Sequence, residues 1–78
     1  MKVMIKNVYS TRTTYAPNGE VFAKPTPLHL TWFTSIDDAV VFMCAAHWYR
    51  RATETQAAKL YDGGFMDVVT YSEESNDE

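Results

Sequence analysis

Ala39-Val-Val-Phe-Met-Cys-Ala-Ala-His-Trp-Tyr49 carries no formal charge at neutral pH, and the reading of this run decides the fold. It follows Thr34-Ser35-Ile36-Asp37-Asp38 and leads into Arg50-Arg51. Ser35 can accept a backbone N–H as an N-cap, and Asp37 and Asp38 suit the positive end of a helix. At about 1.5 Å per residue the run spans roughly 16 Å as a helix, far short of the ~20 apolar residues a membrane span needs. A helix lying on a sheet needs one apolar stripe, with charges opposite it. This run is apolar almost all the way round. Either a small domain wraps it completely, or one side awaits another chain.

At roughly 100° per residue, Ile36, Ala39, Val40, Met43, Ala46 and His47 share one side, flanked by Phe42 and Cys44. That side is assigned to the sheet, and the helix is expected to run to about Arg51. Val41, Ala45, Trp48 and Ala52 form a second, outward stripe near Asp37 and Asp38. A contiguous stripe centred on Trp is a candidate interface, because Trp is enriched among binding hot spots. Its expected anchors are Val41, Ala45, Trp48 and Tyr49, with Arg51 and Asp37 as charged rim. The competing reading buries the stripe internally, under a second helix or the long hairpin.

Upstream, Lys2–Tyr9 alternates as a strand and Ser10–Tyr15 is rich in β-favouring Thr and Tyr. Ala16-Pro17-Asn18-Gly19 has turn chemistry throughout: Pro presets φ, and Asn and Gly accept positive φ. The return strand begins at Glu20–Lys24, is interrupted by Pro25-Thr-Pro27, which removes two ladder donors, and resumes over Leu28–Phe33. Leu28, Leu30 and Trp32 form its better core face.

Downstream, Thr53-Glu-Thr-Gln56 has capping-box spacing, which allows a short second helix over about Glu54–Tyr61, stopped by Gly63-Gly64. Phe65–Tyr71 reads as the last strand. The expected fold is therefore a two-layer α+β domain of ββαβ order over residues 1–72. A right-handed crossover gives a three-stranded mixed sheet of order 2-1-3 with the main helix on one face. Its other face is wet or contacts a partner. Residues 73–78, acidic and polar, read as a solvating, unstructured tail.

Seventy-eight residues make a single domain near the size where a core alone is marginally stabilising. The hydrophobic content is 46%, which argues for a globule rather than a disordered chain. A net charge of −3 offers no field for nucleic acid or anionic lipid. Arg50 and Arg51 are the local exception, and suit the negative end of the helix. One cysteine excludes an internal disulfide and suits a reducing compartment. The first six residues lack the apolar stretch of a signal peptide. The expected location is the cytoplasm.

Specific chemistry is missing from the pattern. Cys44 and His47 lie one turn apart, but zinc needs three or four ligands, and only His29 remains to join them. As nucleophile and base the pair lacks an orienting group and an oxyanion site. Asp37/Asp38 and Glu73/Glu74 are accounted for by the helix dipole and solvation, and Gly63-Gly64 lacks the longer glycine pattern of a phosphate loop. No catalytic residue, metal or cofactor is expected.

A capped helix of the kind Thr34-Ser-Ile-Asp-Asp-Ala39, entered from a hairpin and followed by a strand such as Phe65-Met-Asp-Val-Val69, resembles small phage-encoded inhibitor proteins. These include inhibitors of host RNA polymerase and anti-CRISPR or other anti-defence proteins. The likeness is one of layout and size over residues 20–72. It implies a non-enzymatic protein that blocks a host or defence complex sterically, in the host cytoplasm. The uncharged helix centre departs from the charged faces such inhibitors often present, and favours an apolar contact or a homodimer seam. The alternative function is a small-ligand binder, such as an oligomeric protein sequestering a nucleotide signal.

Overall fold

The structure, a computed structural model, describes residues 4–77. Its elements run β1 (Met4–Tyr15), β2 (Val21–Leu30), α1 (Ile36–Ala46), β3 (Arg50–Thr53), β4 (Gln56–Leu60) and β5 (Met66–Asp77). They form one antiparallel five-stranded sheet of order β2-β1-β5-β4-β3, with α1 against one face. This overturns the ββαβ expectation of a three-stranded mixed sheet. The last strand does lie beside the first, but it is followed outward by two strands drawn from the segment read as helical.

Two local forces explain that difference. Continued as a helix, Tyr49 would point about 180° away from Val40, into solvent. The chain instead leaves the helix at His47, passes through Trp48 at φ 65°, and turns Tyr49 into the core at 7% exposure. Burying a Tyr ring outweighs a further helical turn. The second force lies in Thr53-Glu-Thr-Gln56. Thr53 Oγ1 accepts the backbone N–H of Thr55, and Gln56 Nε2 donates to Thr70 Oγ1 on β5, 3.1 Å away. The capping-box residues thus close a tight β-turn, and the second helix is replaced by the β3–β4 hairpin.

Elsewhere the turn chemistry operates as expected. Ala16 and Glu20 close the β1–β2 hairpin over Pro17-Asn18-Gly19, and of the two register irregularities of β2 one falls between Ala23 and Thr26, at Pro25, and the other between Val21 and Ala23. β2 is an edge strand running through both prolines. Gly63-Gly64 forms the β4–β5 turn, not a helix stop. β5 continues through Glu73–Asp77, paired with Met4–Val8. An unstructured tail was expected there; the first half of β1 offers these residues a partner strand. Glu78 lies outside the described residues.

The core gathers Val8, Ala39, Val40, Tyr49, Ala57, Val69 and Tyr71, with Leu30, Phe33, Ile36, Met43 and Cys44 packed against it. Ala39 and Ala57 are fully buried, and such small residues allow close approach of helix and sheet. Among the described residues no helix is long and apolar enough to cross a membrane.

Candidate functional site

Ser35 caps α1 as its sequence implies: its Oγ accepts the Asp38 N–H at 3.1 Å. Ile36, Ala39, Val40 and Met43 face the sheet, whereas Ala46 and His47 are exposed. Val41 and Ala45 point outward, and Asp37 pairs with Arg51 at 2.6 Å, tying the first turn of α1 to β3. Four of the six candidate partner-binding residues therefore lie on or beside the outer side of the helix.

The other two lie elsewhere. Tyr49 is a core residue, so it is no surface anchor. Trp48 is 82% exposed, but the helix ends before it. It lines a depression with Arg50, Ala58, Lys59 and Leu60 on the β3–β4 hairpin. Joining Trp48 to Val41 and Ala45 on one wheel requires the helix to run on toward Arg51, about five residues past its end at Ala46.

On the β2 side of α1 the structure brings together aromatic residues the sequence reading did not group. Trp32 stacks on Phe33 at 4.7 Å between ring centroids and meets Phe42 edge-on at 5.5 Å, and Phe42 meets His47 at 5.4 Å. With Leu28, Leu30 and Met43 they border a groove of about 170 Å³, floored by Ser10, Val69 and Tyr71 and reached by Arg12. Trp32 stands at the groove 64% exposed, because the chain turns at Thr31-Trp32 and sends Phe33, not Trp32, toward the core. The hydroxyl of Tyr71 is buried without a hydrogen-bond partner among the described residues. Burial pushes it up to about 12, with a smaller contribution from Cys44.

A polar network adjoins the groove. Asp67 is buried in mid-strand and accepts from Arg12 through Nε at 2.9 Å and through Nη2, from Thr14 Oγ1, and from Tyr49 OH at 3.3 Å. Burial raises the Asp67 carboxyl, but the hydrogen bonds of Thr14 and Arg12 outweigh it, and the net shift is downward. Arg12 is shifted upward, led by its bond to Asp67. Tyr49 is also shifted upward, first by burial and then by Tyr61. Lys59 Nζ lies over the rings of Tyr49 and Tyr61 at 5.8 and 5.1 Å. This is an anchoring network: every polar group on Asp67 is engaged, and Arg12 is held as a fixed fork. Its signal in the sequence is a pair of opposite charges, Arg12 and Asp67, among the inward-facing residues of two strands.

Cys44 lies at the edge of the core and His47 is exposed against Phe42. Among the described residues no three His, Cys, Asp or Glu side chains gather as metal ligands. No protein-family model matches the chain, and no match was found among curated proteins or solved structures.

Proposed function

We propose that this chain works without catalysis, by binding another protein through its helix-side surface and blocking it sterically, in the manner of a phage-type inhibitor. The observation that carries this reading is Trp32, exposed at an aromatic groove beside the helix. A Trp beside a concave apolar site is the usual material of a binding hot spot. Leu28 and Phe42 extend the apolar contact at the groove, and Val41 and Ala45 extend it over the exposed side of α1. The Asp37–Arg51 pair supplies a polar rim at the opposite, β3 flank of the helix. An inhibitor of this kind needs only complementarity and affinity, which suits a surface with apolar anchors and an inward-facing polar network.

Small-ligand binding is the second reading, favoured by the groove itself. At about 170 Å³ it falls below the ~300–1,000 Å³ of ordinary ligand sites, so a nucleotide fits poorly and an inserted partner side chain fits better. Affinity capture from bacterial lysate with wild-type chain, Trp32→Ala and Glu20→Ala tests the proposal. The proteins retained by wild type and Glu20→Ala are expected to be lost from Trp32→Ala, whose folded spectrum is unchanged. Equal retention by all three overturns this surface, and a thermal shift with a nucleotide in their place favours the second reading.

A further inference from the structure

Among the described residues, no element covers the sheet face away from α1. Directly paired residues on antiparallel strands share a face, and Arg12, Thr14, Asp67 and Ala57 lie on the helix side. The opposite side therefore carries Leu60, Met66, Tyr15 and Val21 as successive register partners across β4, β5, β1 and β2. Trp48 continues this row at the β3 end, beside Leu60. The next row holds Arg50 at the β3 edge, then Ala58, Val68 and Thr13. Leu60 is 73% exposed, and Val21 and Met66 are exposed too. An apolar row crossing a whole sheet differs from the single apolar residues scattered over any surface.

We propose that this face is covered by a second copy of the chain, the two sheets packing face to face with both helices outward. The area points to a second copy of similar extent. A compact monomer of 8.9 kDa exposes about 4,800 Å². This chain exposes 5617 Å², an excess of about 800 Å² over its whole surface, of the order of what one partner contributes to a standard interface. The shape agrees: extents of 53 × 24 × 16 Å make a thin slab, and a second sheet about 10 Å away completes the layered sandwich that one-sided sheets normally form. Association along the edges is disfavoured. β2 carries Pro25 and Pro27, and β3 is four residues long with Arg50 and Arg51. Trp48 stands 82% exposed at the end of this row, at a φ of 65° that glycine would hold without strain. The dimer leaves both Trp32 grooves on its outer faces, available to the partner proposed above.

Light scattering and sedimentation equilibrium on the purified full chain test this. Wild type and Val41→Glu, which alters only the helix side, are expected at twice the mass of one chain. Leu60→Glu and Met66→Glu are expected at the monomer mass with the folded circular-dichroism spectrum. A monomeric wild type at the highest soluble concentration overturns the proposal, as does a Leu60→Glu variant that stays dimeric. Should the variants unfold, a soluble paramagnetic probe on wild type decides. Leu60 and Met66 methyl signals shielded relative to those of Val41 support the seam, and equal broadening overturns it. Because no partner protein enters these measurements, they are independent of the capture experiment.

Discussion

At the scale of single residues, Gly64 shows how a sequence feature acquires its reason only in three dimensions. Gly19 and Gly64 both sit at φ +87°, but an added Cβ meets nothing at Gly19, whereas at Gly64 it would lie 3.0 Å from Pro17 Cγ. Gly19→Ala is therefore expected to cost about 1 kcal/mol, the left-handed strain alone. Gly64→Ala should cost more, since the β1–β2 turn must also give way. Urea unfolding of both variants measures the difference, and equal losses would mean that the two turns do not touch.

Asp67 is the other residue whose environment sets a measurable quantity. Its carboxyl is lowered in the folded chain, so between the ordinary value near ~4 and the folded value the unfolded chain binds more protons. Its stabilising contribution is present above the ordinary value and is lost as pH falls through the folded one. Asp67→Asn is expected to lose about 1–3 kcal/mol at neutral pH and to flatten the acid limb below about pH 4. Urea midpoints at neutral and acid pH check this, and a variant with the wild-type acid slope would remove Asp67 as its source.

At the scale of elements, the start of α1 was legible and its end was not. Ser35, followed by Asp37 and Asp38, signals an N-terminus by local chemistry alone, and the Ser35 Oγ bond to Asp38 N–H is made. Ser35→Ala is expected to cost about 1 kcal/mol, read from the thermal midpoint, with no change in light-scattering mass. The end of the helix depends on where Tyr49 finds a core, which no local pattern contains. The β1–β2 hairpin was legible for the same reason as the cap: Pro17, Asn18 and Gly19 act on their own backbone. Thr53-x-x-Gln56 is degenerate, serving equally as capping box or turn, and its partner Thr70 is distant in sequence. The candidate surface suffered twice from that ambiguity. Extending the helix placed Trp48 beside Val41, and omitting β3 and β4 hid the row from Leu60 to Val21. Strand alternation puts Trp32 on the core face only if β2 runs past Leu30, where it stops.

At the scale of the whole molecule, the sheet order β2-β1-β5-β4-β3 has one pairing that is distant in sequence, β1 with β5, while the other three are between consecutive strands. It joins the two ends of the chain, with Met4 opposite Asp77, and it forms the centre of the sheet. Pairing across the intervening residues must close a long loop before its contacts repay the cost. A circular permutant that fuses residue 78 to residue 1 and opens the chain between Phe33 and Thr34 runs α1-β3-β4-β5-β1-β2. Every neighbouring pair of strands is then consecutive, and the sheet becomes a simple meander. Shortening the closing loop from about 50 residues to a few lowers the entropic cost by roughly 2 kcal/mol. The permutant is expected to keep the native circular-dichroism spectrum and to refold about tenfold faster or more in stopped-flow dilution from urea. The new break lies in an irregular connection outside every strand and helix, ahead of Ser35, so the cap survives. If the permutant refolds at the wild-type rate, closure of β1 onto β5 is not the slow step. If it fails to fold, the β2–α1 connection contributes more to the core than the packing of Phe33 accounts for.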